Sequence, residues 1–230
     1  MWRSVGRPKV GWIAGLLVLI AGTGARAAEP VVIRSYNLSG VPSRELTEAR
    51  ETLQTTLRSA SIDLVWRDCV NGGCEEPLGA RDLIVRIVAA PRGVGLDELG
   101  YSMVDLQERV GTLATVYSDR AALLAERARV EAGKVLGRAV AHEVGHMLLG
   151  TSGHSATGLM RARWLDREVR RDFGPDWTWS KDEILGMQLR LIARSRGPIE
   201  PTELVATALS GAEPVTPAPT TCRSGRCVSK

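Results

Sequence analysis

After its first 27 residues, the chain lacks any apolar run that approaches the ~20 residues of a membrane-spanning helix. It also lacks an internal repeat. An excess of charge is absent too, because residues 1–27 hold four basic residues and no acid, and these account for the whole formal net charge of +4. The remainder is formally neutral, which argues against a basic nucleic-acid-binding surface. The length of 230 residues and the ordinary composition predict one globular domain with tails.

The first segment has the composition of an export signal. Basic residues at positions 3, 7 and 9 precede an apolar stretch from Val10 to Ala21, and Ala25-Arg26-Ala27 has the small-x-small pattern of a cleavage site. The sequence therefore predicts a signal peptide over residues 1–27 and a mature chain that begins near Ala28. We expect that chain in the periplasm or outside the cell, with no membrane association after cleavage. An uncleaved N-terminal anchor is the alternative.

Cysteines are few and fall into two pairs, Cys69 with Cys74 and Cys222 with Cys227, each with four residues between. In an oxidising compartment, this spacing predicts two local disulfides that close short turns. A zinc site made of all four cysteines is the competing interpretation. From residue 198 onward, proline and threonine accumulate, which predicts a mobile tail that carries the second cysteine loop.

Hydrophobic patterning over residues 28–197 predicts an α/β domain. Apolar and β-branched runs indicate strands at 31–36, 62–66, 83–88 and 113–117, and the nearly all-apolar run 83–88 is expected in the centre of the sheet. Residues 101–104 are interpreted as a short edge strand. Helical spacing indicates helices over 43–59, 119–149 and 180–193, and a Ser180–Glu183 capping box starts the third. Gly133 and Gly137 interrupt the second, which predicts either one helix or two helices with a bend. The order predicts one sheet with helices packed against it.

The three histidines of the chain all lie within residues 142–154, and two of them form the motif H-E-x-x-H on the second predicted helix. His142 and His146 are one turn apart, so both imidazoles can bind one metal ion. Glu143 can reach a water on that metal without being a ligand. Gly150 can end the helix with a positive φ and turn the chain so that His154 reaches the same ion. Three imidazoles and one open position are typical of catalytic zinc.

These residues, together with Met160, resemble the metzincin clan of zinc metalloproteases, whose pattern is H-E-x-x-H-x-x-G-x-x-H followed by a methionine-containing turn. Here Gly150 lies one residue later, and His154 two residues later, than in that pattern. The resemblance implies a zincin-like fold with a mixed five-stranded sheet, an active-site helix and a C-terminal helix. It implies that the three histidines bind Zn²⁺, that Glu143 is the general base, and that Gly158-Leu159-Met160 is the turn beneath the metal.

Three alternatives stay open at this point. Glu168 on a later helix is a second candidate for the third ligand, as in glutamate-ligand zinc proteases. The tryptophans at 164, 177 and 179 either line a substrate cleft or, as we favour, pack into the core. We expect hydrolysis of a peptide or protein substrate. A zinc-dependent amidase acting on a small or cell-wall amide and a non-catalytic binding scaffold are the rival functions.

Overall fold

The computed structural model describes residues 29–69 and 73–196, together with the backbone of residues 221–223 and 226–228. The predicted signal peptide lies outside these residues, as does most of the predicted tail. Within the described part of the chain, no helix is both long and apolar enough to cross a bilayer.

Five strands form one mixed sheet, which shows the α/β class that the sequence predicts. Their order is β2-β1-β3-β5-β4, and only β4 runs antiparallel to its neighbour, β5. The edge position of β4 becomes important at the site. The bounds are β1 Val31–Asn37, β2 Leu64–Asp68, β3 Asp82–Val88, β4 Gly100–Asp105 and β5 Val110–Tyr117.

The second strand begins two residues later than predicted. The backbone N–H of Ile62 donates to the carbonyl of Leu57, so this residue closes the preceding helix instead of joining the sheet. Ser61, just before it, has a φ of 57°, which turns the chain sharply at this point. The side chain of Ile62 is still buried, which explains why its apolar character suggested a strand.

Within the residues that the structure describes, five α-helices accompany the sheet, and a 3₁₀ turn covers Gly174–Trp177. Alternate side chains of the central strands are fully buried under the helices α1 and α3, which also pack on each other. The 3₁₀ turn was not predicted, and a helix at α4 was expected only in the alternative that places Glu168 on a later helix. The helix bounds are α1 Ser43–Ser59, α2 Ser118–Ala128, α3 Ala132–Leu149, α4 Asp166–Arg171 and α5 Lys181–Arg196.

Residues 118–149 form two helices, which is one of the two predicted alternatives, but the break is not at the glycines. Arg129 has a φ of 57° and ends α2, after which the chain re-enters a helix at Ala132. Gly133 and Gly137 lie inside α3, where they let α1 approach. A Cβ would stand 2.6 Å from the carbonyl oxygen of Glu45 at the first position and 2.5 Å from that of Ala49 at the second.

The first cysteine pair, Cys69 and Cys74, is bonded in the structure, with the two Cα atoms 5.4 Å apart. The buried Arg34 of β1 ties the following loop down. Its guanidinium donates to the carbonyls of residues 74, 76 and 77 and lies 2.5 Å from the carboxylate of Asp82. Cys222 and Cys227 are register partners in the antiparallel strands β6 (Thr221–Arg223) and β7 (Arg226–Val228), and their side chains lie outside the described part.

Candidate metal centre

Two histidines of α3 meet at one point. His142 and His146 are one helical turn apart, and their Nε2 atoms are separated by 3.1 Å. Both are buried, with 8% and 6% of their surface exposed, because α3 lies between the sheet and the chain that follows it. Two nitrogens bound to one tetrahedral zinc at ~2.0–2.1 Å stand about 3.3 Å apart. The observed separation is therefore close to what one metal ion requires.

The opposite nitrogen of each ring has a backbone partner. His142 Nδ1 lies 2.8 Å from the carbonyl oxygen of Leu159, and His146 Nδ1 lies 2.9 Å from that of Thr151. Since a carbonyl oxygen can only accept, each Nδ1 carries the hydrogen and each neutral ring turns the lone pair of Nε2 toward the other. Two lone pairs that face each other call for a cation between them, so the donor set fits a metal ion.

Burial keeps the two rings neutral. It lowers the pKa of His142 to about 4, while the hydrogen bond to Leu159 raises the pKa and the neighbouring His146 and His154 lower it further. Burial likewise lowers the pKa of His146, with the hydrogen bond to Thr151 opposing it. Near neutral pH, both imidazoles are therefore available as metal ligands without first losing a proton.

The third histidine reaches the pair after a chain reversal. Gly150 ends α3 with a φ of 58°, and a side chain there would collide with the backbone of Arg109. The chain then brings the exposed His154 to ring-centroid distances of 5.3 Å from His142 and 4.8 Å from His146. One nitrogen from each ring lies within 4.8 Å of the others. The three histidines together can hold a metal ion.

Glu143 lies beside the triad, and its carboxylate points toward β4. Ser102 Oγ donates to Glu143 Oε2 at 2.5 Å and lies 2.9 Å from the backbone carbonyl of the same residue. Only 5% of Glu143 is exposed. Burial raises the pKa of its carboxyl to about 7, and the bond from Ser102 opposes that rise. A carboxyl poised near neutral pH can accept and return a proton.

The segment after His154 forms the floor of the site. Gly158 has a φ of 75°, and the next residue, Leu159, donates its N–H to Thr178 while its carbonyl accepts from His142. Met160 is 1% exposed and packs under α3 at Gly145. The glycine has no side chain, and this leaves the room that Met160 occupies. Met160 therefore supports the helix turn that carries both buried histidines.

Glu168, the alternative third ligand, lies in a different contact. Its Oε2 accepts from the backbone N–H of Leu165 at the start of α4 and stands 3.7 Å from Arg161. Trp177 and Trp179 are buried, with 5% and 3% exposed, which confirms the preferred core assignment. Trp164 is partly buried, and its ring stands edge-on to His142 at 5.8 Å between centroids.

The site opens into a cleft of about 300 Å³. Its walls come from β4, from α3 and from the loop after Gly150. Sequence reasoning found the charged and imidazole groups but missed Ser102, Gly145 and the two carbonyl acceptors. The cleft-lining residues are Glu98, Gly100, Tyr101, Ser102, His142, Glu143, His146, Thr151, Ser152, His154 and Ala162.

No protein-family model matches the chain, and no curated protein matches it significantly.

Proposed function

We propose that the protein is an exported zinc-dependent metallopeptidase with a zincin-like fold of the metzincin type. The observation that carries the proposal is that three histidines converge beside the buried carboxyl of Glu143, which is not part of the metal-binding group. A closed structural metal site has no use for an additional buried carboxyl, whereas a hydrolytic site needs a base next to its metal.

The residues divide the chemistry between them. Zinc, when bound, supplies a Lewis acid and lowers the pKa of water toward ~7. His142, His146 and His154 would hold it and leave one position open on the cleft. Glu143 is placed to take a proton from the attacking water and then to deliver it to the leaving amine. Gly150 and Met160 hold this arrangement through the chain reversal and the floor.

The edge strand β4 favours a peptide over a small amide. It is the last strand of the sheet, it borders the cleft, and no described strand pairs with its outer side. An extended peptide can add to such an edge through main-chain hydrogen bonds. The scissile bond would then lie along the histidine triad. An amidase for a small substrate calls for an enclosed pocket instead, whereas the cleft here has residues of the edge strand β4 in its wall.

Metal content tests the site, measured on purified residues 28–230. We expect about one zinc per chain in the wild type, in Glu143→Gln and in the matched control Glu168→Ala, and loss of zinc in His154→Ala. Zinc loss in Glu168→Ala instead would assign the third ligand to that residue. A wild type that binds no zinc would reject the proposal in favour of a binding scaffold.

Hydrolysis tests the reaction, with a mixed library of quenched-fluorescence peptides as the substrate. We expect the zinc-loaded wild type to cleave peptides and Glu143→Gln to be slower by about 10²- to 10⁴-fold while it keeps its zinc. Full activity in Glu143→Gln would contradict the assigned base. Cleavage of small amides but of no peptide would support the amidase alternative.

A further inference from the structure

The contact between Ser102 and Glu143 joins two elements far apart in sequence. Ser102 lies on β4 and Glu143 on α3, and the hydroxyl of the serine lies 2.5 Å from Oε2 of the carboxylate. Hydrogen bonds to charged acceptors are short and strong. A hydroxyl has one proton to donate, and the carboxylate oxygen is nearer than the backbone carbonyl at 2.9 Å. The side chain of Glu143 is therefore the main acceptor.

The other carboxylate oxygen is placed by the neighbouring inward position of β4. Residues two apart on a strand face the same side, so Gly100 faces α3 together with Ser102. A Cβ at Gly100 would stand 3.2 Å from Glu143 Oε1, which lies in the space that the missing side chain leaves. Glu143 Oε1 has no hydrogen-bond donor among the described residues and is not sealed from the cleft.

We propose that Ser102 is a positioning residue for the general base: its hydroxyl holds Glu143 Oε2 so that Oε1 faces the cleft and accepts the proton. This inference rests on the proposed function. Without the hydroxyl, the carboxylate can turn about its terminal bonds, and the fraction of time spent in the reactive orientation falls. Since β4 is also the proposed docking edge, the serine fixes the base relative to the strand that would carry the peptide.

Steady-state kinetics of the zinc-loaded protein test the role in catalysis. We expect Ser102→Ala to lower kcat about tenfold or more and to leave KM within about twofold. Ser102→Thr keeps the hydroxyl and suits a strand, so we expect kcat within about threefold of the wild type. Ser59→Ala is the matched control, because it removes a serine hydroxyl bonded to the carbonyl of Thr56 at the end of α1. It should leave both constants unchanged.

A second measurement, the Tm of the metal-free protein, tests the contact between Ser102 and Glu143 without an activity assay. We expect Ser102→Ala to lower the Tm by about 2–4 °C in the wild type and by less than about 1 °C in a Glu143→Ala background. The difference between the two backgrounds is the coupling between hydroxyl and carboxylate. Ser59→Ala should lower the Tm equally in both.

The outcomes separate the inference from the function on which it depends. An equal Tm loss for Ser102→Ala in both backgrounds would show that the hydroxyl serves only the backbone carbonyl, and would overturn the positioning role. Coupling without a fall in kcat would overturn it as well. An equal loss of kcat in Ser102→Thr and Ser102→Ala would show that kcat depends on the shape of the side chain and not on its hydroxyl. This result would also overturn the positioning role. A zinc-loaded wild type that cleaves no peptide would reject the function and the catalytic role together, while the coupling would still report the contact.

Discussion

The α-carbon of Gly145 lies against the thioether of Met160, so that a Cβ at position 145 would stand 2.5 Å from Met160 Sδ and 2.8 Å from Trp179 Nε1. Both neighbours are buried in the core. The glycine lies between Glu143 and His146, on the turn of α3 that faces the floor. Helix and floor can therefore meet this closely only because one residue has no side chain.

Gly145→Ala should separate the floor from α3. We expect a loss of about 1–3 kcal/mol in the free energy of unfolding from overpacking, and weaker zinc binding because the acceptor for His142 lies on the floor. Urea denaturation and metal titration measure the two effects. Gly186→Ala in α5 is the control, since its Cβ would meet only the flexible end of Leu149 at 3.2 Å. Because alanine has a higher helix propensity than glycine, we expect the free energy of unfolding of Gly186→Ala to equal or exceed that of the wild type. Equal zinc affinity in Gly145→Ala and wild type would contradict the argument.

Arg34 should matter more than the disulfide whose loop it secures. Replacing it with methionine leaves Asp82 buried without its partner and three loop carbonyls without a donor, so we expect a loss of about 3–5 kcal/mol. The double variant Cys69→Ala, Cys74→Ala removes a cross-link that closes a short loop. The loop-closure entropy of the unfolded chain predicts a loss of about 2 kcal/mol in the free energy of unfolding. Unfolding of both variants in urea gives the comparison. A greater loss from the cysteine pair would reverse this ranking.

The pH dependence of the metal-free protein should reveal two opposing groups. The pKa of His142 is lowered to about 4, so the unfolded state binds more protons between about pH 4 and 6.5 and stability rises with pH there. The pKa of Glu143 is raised to about 7, so the folded state binds more protons between about pH 4.5 and 7 and stability falls with pH there. In the wild type, the lowered pKa of His146 adds to the first trend, and the trend from Glu143 opposes both.

Glu143→Gln removes only the second trend. We therefore expect its Tm to rise more steeply with pH between about 4.5 and 6.5 than that of the wild type, both measured in the presence of a chelator. His142→Ala should do the opposite and flatten or invert the slope. Parallel curves for Glu143→Gln and the wild type would show that the carboxyl is not titrating in this range.

We expect acid to weaken the contact between α4 and α3, because the carboxylate of Asp172 at the end of α4 becomes protonated. Its burial favours the protonated form, but hydrogen bonds and positive charge from Lys134 and Arg138 outweigh that and lower its pKa. Its stabilising effect is thus present above the ordinary pKa and lost as the pH falls through the lowered one. Because the side chain is 39% exposed, we expect Asp172→Asn to cost about 1 kcal/mol or less at pH 7 and less at pH 3. Chemical denaturation at both pH values checks this, and an equal cost would contradict it.

The sequence predicted those features that depend on interactions between residues close together in the chain. The four-residue spacing of His142 and His146 requires only that the segment be helical, and the conformational freedom of Gly150 marks its end. The capping box is also local: the N–H of Ser180 donates to Glu183 Oε2 at 2.7 Å. The five predicted strand segments all became strands, and β2 begins two residues later than predicted because the backbone N–H of Ile62 closes the preceding helix.

The missing parts of the site depend on contacts between distant segments. Ser102 is 41 residues from Glu143 and has no signature of its own in sequence, because any inward residue of β4 would reach the same place. The break at Arg129 was missed because a non-glycine residue takes the positive φ. Gly133 and Gly137 suggested a bend, whereas the close approach of α1 explains them. The pairing of helix with helix and strand with helix is invisible in a single-sequence pattern.

Both buried histidines are oriented by main-chain oxygens, those of Leu159 and Thr151. No substitution at either position deletes a carbonyl, so ring orientation depends on the path of the chain and not on which side chain stands there. The burial of Leu159 in the core is a separate constraint on that position. The pressure that preserves ring orientation acts on turn geometry and on the glycines that permit it. A lineage can thus keep its ligand alignment while its recognisable sequence shrinks to three histidines, one glutamate and a few glycines.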